Sequence, residues 1–165
     1  MAGYGFTLEN SGGVDFWDEF RCLGGVSALG YSVSQRFTYK NYLSQAYQKA
    51  ILQWDAINQQ FNFLNIYDEL SAAGQDGWLV AFRQTPTGSS WEQDVGQPWS
   101  TVVDNHLALL QGPAAASQAL NRAYLNNSLA PGDVHSSILM FGLPMAREDM
   151  GDAIVVRAQR AESQY

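Results

Sequence analysis

The chain has 165 residues, of which 46% are hydrophobic and 13% aromatic, and its formal net charge is −7. This length and composition predict a globular chain and exclude a disordered one. The acidic excess and the absence of any run of Lys or Arg disfavour nucleic acid and anionic membranes as partners, and no apolar stretch is long enough to span a bilayer.

The first predicted element is a helix over residues 16–23, with four apolar residues on one stripe and Gly24-Gly25 at its end. These apolar residues are Phe16, Trp17, Phe20 and Leu23, and we expect Trp17 and Phe20 to belong to the core. A β-hairpin follows, with strands at 42–48 and 51–54 around a turn at Lys49-Ala50. We expect Tyr47 and Trp54 to be core residues of this hairpin.

The middle of the chain predicts several shorter elements. Residues 61–72 fit either a strand or a short helix, and residues 78–82 indicate a short strand. Residues 84–98 are rich in turn-forming residues and predict a long loop. Ser100 or Thr101 is expected to cap the next helix, whose apolar positions are Val103, Leu107 and Leu110.

The last third predicts a helix that begins at Pro113 and ends at Asn126-Asn127. Leu120, Tyr124 and Leu125 form its apolar side. A turn at 150–152 then leads into a second hairpin, whose first strand covers residues 152–157. Because strands and helices do not alternate as βαβ units, the predicted fold class is α+β.

Two segments of the sequence align with each other, residues 29–54 and 141–165. Gly30 aligns with Gly142 and Gln48 with Gln159; the further matches are Ala50 with Ala161, Gln53 with Gln164, Lys49 with Arg160, and Trp54 with Tyr165. The second copy has one residue fewer between its two halves. The pattern predicts two repeated helix–turn–β-hairpin units joined by a helical middle segment.

We expect these units to form one compact domain over residues 1–165. Its parts would be a first repeat unit at 14–56, a middle segment at 57–112 and a second repeat unit at 113–165. Gly30 and Gly142 are expected to supply backbone positions that a side chain would block.

The repeat resembles the LGFP-type repeats of bacterial cell-envelope proteins. Residues 20–34 are similar to the opening of those repeats, which read Leu-Gly-Gly and then Leu-Gly-x-Pro-x-Ser/Thr after an aromatic residue, and residues 47–54 resemble their close, Phe-x-x-Gly-x-Ile-x-Trp. Residues 141–144 and 158–161 resemble Phe-Gly-Tyr-Pro and Phe-Gln-Arg-Ala in a variant from secreted Chloroflexi-type proteins. The chain departs from the family at Ser32, Ala50 and Ala146, where Pro, Gly and Ser/Thr are usual.

The resemblance covers residues 14–56 and 117–165 and implies a non-catalytic module of the cell envelope, located outside the cell or at its surface. The chain begins MAGYGF, without the features of a signal peptide. We therefore expect either a piece of a longer secreted chain or an intracellular protein, and the end at Tyr165, the last repeat position, favours the former.

Exposed aromatic rings are the predicted ligand-binding groups, because sugar rings stack on them while Asn, Gln and Asp bond the hydroxyls. Trp91 and Trp99 are the first candidates, since they lie in or beside the turn-rich segment, outside any periodic apolar stripe. Trp78 and Tyr31 are further candidates. The predicted partner is a polysaccharide or cell-wall glycan.

The alternative is a small glycan-cleaving enzyme, a hydrolase or transglycosylase, that uses a carboxylate. The candidate catalytic residues are then Glu19, Glu92, Asp94 and Glu148. Because the chain has one cysteine, Cys22, and two histidines, and lacks nucleotide-binding motifs, we expect no metal and no cofactor. Cys22 is expected to be a small buried side chain, and His106 a boundary residue with satisfied hydrogen bonds.

Overall fold

A computed structural model describes residues 5–165. The chain divides into two compact units, Met1–Leu64 and Asn65–Tyr165, which we call the first and second units. The division falls after Leu64, whereas the sequence analysis placed its boundaries at residues 56 and 112. The assignment of the whole chain to one domain stays a prediction.

The first unit joins two short helices to a small hairpin and a four-stranded antiparallel sheet, whose strand order is β3-β4-β5-β6. Its elements are β1 (Asn10–Ser11), β2 (Val14–Asp15), α1 (Phe16–Cys22), α2 (Gly25–Leu29), β3 (Phe37–Tyr39), β4 (Tyr42–Ala46), β5 (Ile51–Asp55) and β6 (Gln60–Phe63).

Aromatic rings form much of the core of the first unit. The rings of Phe20 and Tyr47 stack with centroids 5.3 Å apart, and Phe16 meets Phe61 edge-on at 4.8 Å. Trp17 is 42% exposed, so its assignment to the core was wrong. It follows Phe16 directly on α1 and therefore points about 100° away from that buried face. Cys22 is also exposed, not buried as predicted.

The second unit places a three-stranded antiparallel sheet, in the order β7-β8-β9, among five α-helices of the described chain. Its elements are α3 (Ile66–Ala72), α4 (Asp76–Arg83), α5 (Trp99–Leu107), α6 (Ala114–Leu125), α7 (Val134–Phe141), β7 (Pro144–Asp149), β8 (Ile154–Ala158) and β9 (Glu162–Gln164), with 3₁₀ turns at Glu92–Asp94 and Ala108–Leu110. One cluster of its core contains Leu110, Leu120, Tyr124, Val156 and Ala158.

The predicted α+β class is confirmed, as are the helices expected near 100–110 and after Pro113. The strand predicted at 78–82 is wrong, because these residues lie in α4. Five consecutive apolar residues fit either element, and here Leu79 is buried while Trp78 and Phe82, four residues apart, are exposed. α7 was not predicted from the sequence. The Asp133 carboxylate caps the start of this helix by accepting the N–H of Ser136.

The two aligned segments contain the same backbone hydrogen bonds. The N–H of Gln48 donates to the carbonyl of Tyr31, and the N–H of Gln159 to that of Leu143, both at 3.1 Å. The next residue donates to the carbonyl before the glycine in each unit, Lys49 to Leu29 at 3.0 Å and Arg160 to Phe141 at 2.9 Å. These bonds agree with the alignment, whereas the origin of the segments as a repeat stays a prediction.

The glycine–glutamine contact that both segments contain explains why each of them needs a glycine at this point. The φ angles of Gly30 and Gly142 are 75° and 76°, in the region that favours glycine. A Cβ atom would lie 2.6 Å from Cβ of Gln48 in the first case and 2.5 Å from Cβ of Gln159 in the second. The glutamine amide oxygen accepts the N–H that follows the glycine, at 3.0 Å in both units.

Candidate functional site

An open cleft of about 440 Å³ lies in the first unit, between α1 and the turn that joins β5 to β6. We call it the acidic cleft. It is lined by three carboxylates, two aromatic rings, two glutamines, a thiol and a glycine: Asp15, Asp18, Glu19, Trp54, Phe61, Gln59, Gln60, Cys22 and Gly13.

Helical spacing produces the acidic wall of the cleft. Asp18, Glu19 and Cys22 lie on one side of α1, because Cys22 is four residues after Asp18 and three after Glu19, and Asp15 directly precedes the helix. Asn10 fixes the start of this helix, since its side-chain oxygen accepts the N–H of Trp17 at 3.0 Å. The Asn10 amide nitrogen also donates to Asp18 Oδ2 at 2.8 Å, which orients that carboxylate.

The opposite wall comes from β5, β6 and their turn. Trp54 and Phe61 are directly paired across the two strands, and their ring centroids are 5.0 Å apart. Asp55 holds the turn, because its carboxylate accepts the N–H of Ile57 at 2.9 Å and the side chain of Asn58 at 2.7 Å. The hydrogen bond from the Asn58 side chain lowers the pKa of Asp55.

Glu19 is less exposed than its two acidic neighbours. It is partly buried, whereas Asp15 and Asp18 are exposed, and burial raises the pKa of Glu19 above its usual value. In its protonated form the Glu19 carboxyl group can donate a hydrogen bond as well as accept one. Within residues 5–165, no three or more His, Cys, Asp and Glu side chains are grouped so as to hold a metal ion.

The predicted ligand-binding aromatics lie in different environments. Tyr31, Trp78 and Trp99 are 62%, 48% and 58% exposed, and so have ring surface available. Trp91 is held in place: its Nε1–H donates to the carbonyl of Met145 at 3.1 Å, and its ring stacks on His106 with centroids 3.7 Å apart. One face of the Trp91 ring is therefore covered, and ligand binding by all four residues stays a prediction.

The four predicted catalytic carboxylates are also spread over the chain. Glu19 lies in the acidic cleft of the first unit, whereas Glu92, Asp94 and Glu148 belong to the second unit. Glu92 and Glu148 are exposed. Asp94 is engaged on both oxygens, by His106 Nε2 and by the Asn105 amide, each at 2.8 Å.

The aromatic wall of the cleft was not predicted from the sequence. Trp54 was expected in the core, and no sequence pattern pointed to Phe61, Gln59 or Gln60 as ligand-binding residues. The acidic face of α1 could have been found from its helical spacing. The opposite wall gives no such signal, because it depends on which strands pair and on how the β5–β6 turn folds.

Comparison of the chain with protein-family models, with curated proteins and with solved structures finds no match. The LGFP resemblance accordingly stays a prediction. In the part of the chain that the structure describes, each helix is too short or too polar to cross a membrane.

Proposed function

We propose that this protein is a non-catalytic polysaccharide-binding module and that the acidic cleft is its binding site. The observation that carries the proposal is an aromatic wall, Trp54 and Phe61, in the same cleft as carboxylates that lie on α1 or directly before it. A pyranose ring has apolar C–H faces and a rim of hydroxyl groups. Aromatic rings can pack against the C–H faces, and carboxylate and amide groups can hydrogen-bond the hydroxyl groups.

The negative charge of the cleft restricts which polysaccharides can bind there. Asp15 and Asp18 are exposed carboxylates, and the lining contains no Lys, Arg or His. Anionic polysaccharides would be repelled, so the proposed ligand is a neutral or amino-sugar polymer. Together with the LGFP resemblance, this favours a glycan of the bacterial cell envelope and a location outside the cell or at its surface.

A pull-down assay on insoluble peptidoglycan, chitin, xylan and cellulose tests the proposal. Trp54→Leu and Gln60→Ala should each weaken binding, the former about tenfold or more, equivalent to about 1.4 kcal/mol. Trp99→Ala and Trp78→Ala are the matched controls, because they remove exposed rings outside the cleft. Binding that is lost in these two variants and retained in the cleft variants would overturn the assignment of the site.

Chemical modification of the single cysteine, Cys22, tests the binding site without a change to the core. Cys22 is exposed and lines the cleft, so its reaction with N-ethylmaleimide should obstruct the site and reduce binding. Cys22→Ser treated with the same reagent is the control and should bind as the untreated protein does. Full binding by the modified wild-type protein would contradict a site in this cleft.

The second candidate function is glycan cleavage by Glu19 as a general acid. Burial raises the pKa of Glu19 in a cleft that also contains the carboxyl groups of Asp15 and Asp18, and a carboxyl group with a raised pKa suits general acid catalysis. Chromatography of the supernatant after incubation with the same polysaccharides separates the two functions. Soluble fragments that disappear in Glu19→Gln, while pull-down persists, would replace the binding module with an enzyme.

A further inference from the structure

The outer edge of β9 carries unused backbone hydrogen-bonding groups. Tyr165 and Ile154 exchange both backbone hydrogen bonds, at 2.9 and 3.0 Å. In an antiparallel pair the bonded residues alternate, so the N–H and carbonyl groups of Glu162 and Gln164 point away from β8. In the described chain β9 is the last strand of its sheet, and these outward groups have no backbone partner.

The first unit shows what an additional strand does at the equivalent edge. By the alignment, β5 is the counterpart of β9, and Ile51 and Gln53 are the counterparts of Glu162 and Gln164. In the first unit this edge is paired with β6: Gln53 lies opposite Asn62, and the carbonyl of Ile51 accepts the N–H of Leu64 at 2.9 Å. One sheet therefore has four strands and the other three.

A small, mainly apolar pocket of about 280 Å³ adjoins the open edge. The strand residues Glu162, Ser163 and Gln164 line it together with Tyr124 and Phe141. Its space reflects small side chains at aligned positions. Ala158 and Ser163 line the pocket, where the first unit has the larger Tyr47 and Leu52.

We propose that the edge of β9 binds an extended polypeptide segment of a partner protein, added as a fourth antiparallel strand. Main-chain hydrogen bonds to Glu162 and Gln164 would hold the segment, and the pocket would accept an aromatic side chain. In β6 the aromatic residue Phe63 lies opposite Leu52, the counterpart of Ser163, so the aromatic side chain of the partner faces Ser163.

Charge also restricts the partner segment. The Glu162 carboxylate accepts a hydrogen bond from Thr85 Oγ1 at 2.7 Å on the face of β9 opposite to Ser163, and the whole chain has a net charge of −7. An acidic segment would be repelled, whereas a neutral or basic one is complementary. The partner is therefore an extended segment that alternates aromatic and polar residues, as Gln60–Phe63 does, and contains no Asp or Glu.

The test uses the full chain and a synthetic peptide with the sequence of residues 59–64, followed by two lysines for charge and solubility. Titration followed by NMR should give saturable shifts in residues 154–165. Two control peptides should bind at least about tenfold more weakly. One replaces the residue equivalent to Phe63 by serine, and the other carries N-methyl groups on its backbone.

Two variants of the protein test the edge and the pocket separately. Gln164→Pro removes one outward N–H and leaves the bonds of β9 to β8 in place, a position where strands tolerate proline. Ala123→Phe enters the pocket from the exposed side of α6. Each should reduce peptide binding about tenfold or more while circular dichroism stays unchanged.

The N-methylated peptide lacks backbone N–H donors, so equally strong binding of this peptide would overturn strand addition. This comparison uses the wild-type protein alone. Concentration-dependent dimerisation that Gln164→Pro abolishes would also overturn the proposal, because it would make a second copy of the chain the occupant of the edge. Shifts confined to residues 10–61 would assign the peptide to the acidic cleft instead.

Discussion

The two units share one backbone arrangement but stabilise it in different ways. In each, a short helix ends at a glycine, and a glutamine from the hairpin turn closes over that glycine. The first unit fills the surrounding space with aromatic rings such as Phe20 and Tyr47 and completes its sheet with β6. The second unit has smaller residues at several of these positions and relies on helices and on a buried arginine.

That arginine, Arg157, is the clearest difference between the units, since its counterpart in the first unit is Ala46. Arg157 is 1% exposed, and its guanidinium donates to the Asp76 carboxylate at 3.1 Å and to Ser71 Oγ at 2.6 Å. It also donates to the carbonyls of Tyr67 at 2.8 Å and Pro86 at 3.0 Å. One side chain thus joins β8 to α3, to α4 and to the loop after α4.

Removal of this side chain should have the largest effect of the changes considered. Arg157→Met keeps an apolar stem but leaves the carbonyls of Tyr67 and Pro86 without this donor and the Asp76 carboxylate with only the hydrogen bond from Ser71. We expect a loss of about 3–5 kcal/mol in the free energy of unfolding. Urea denaturation measures the loss, and amide hydrogen exchange should place it in residues 65–165. The exposed Arg122→Met on α6 is the control, and an equally small effect at both positions would contradict the role of Arg157.

The glycine substitutions test the arrangement that the two units share. Gly30→Ala and Gly142→Ala should each cost about 2–4 kcal/mol, because a strained φ angle is combined with overlap against a glutamine Cβ atom. Similar losses would show that both sites are under the same constraint. Gly77→Ala in α4 is the control, since its Cβ would meet open space, and it should be neutral or slightly stabilising.

Substitution of Gln48 and Gln159 should destabilise the two units to different extents, and by less than the glycine substitutions. Gln48→Met removes one hydrogen bond, to the N–H of Tyr31, and should cost about 1 kcal/mol. Gln159→Met should cost more, because Gln159 also donates to Asp68 Oδ2 at 3.2 Å. Thermal melts of both variants provide the measurement, and a greater loss in Gln48→Met would contradict this order.

The smallest expected effect is the pH dependence of stability that Glu19 causes in the first unit. Since burial raises the folded-state pKa of Glu19 above 4.5, protonation of Glu19 favours folding. Its stabilising contribution is complete below the unfolded-state pKa and is lost as pH rises through the folded-state pKa. Glu19→Gln should therefore be more stable than wild type at pH 7, by a few tenths of a kcal/mol at this partly exposed site, and equal to it near pH 3.

A titration of urea midpoints between pH 3 and pH 8 checks this expectation. Asp18→Asn is the matched control on the same face of α1, where the carboxylate is exposed and bonded to Asn10. If Glu19→Gln were less stable than wild type at pH 7, the charged form of Glu19 would be the favoured one in the folded protein.

Local patterns in the sequence were sufficient for several helices and for the two glycines with positive φ angles, Gly30 and Gly142. The apolar stripe of residues 16–23 predicts α1, and the aligned positions of Gly30 and Gly142 predict backbone sites that a side chain would block, because turn and helix signals act over a few residues. The sequence was ambiguous where one run of apolar residues fitted both a strand and a helix. Residues 78–82 are as apolar as a buried strand, and only their packing, with Leu79 inward, makes them a helix.

Only the tertiary structure decided where the sites lie. The acidic cleft depends on the pairing of Trp54 with Phe61 and on the turn held by Asp55, which bring β6 opposite the face of α1. The open edge of β9 likewise follows from sheet order and not from the residues 162–164 themselves. A sequence specifies periodicity and turns locally, but a cleft or a free edge is a property of which distant elements meet, and that is fixed by packing.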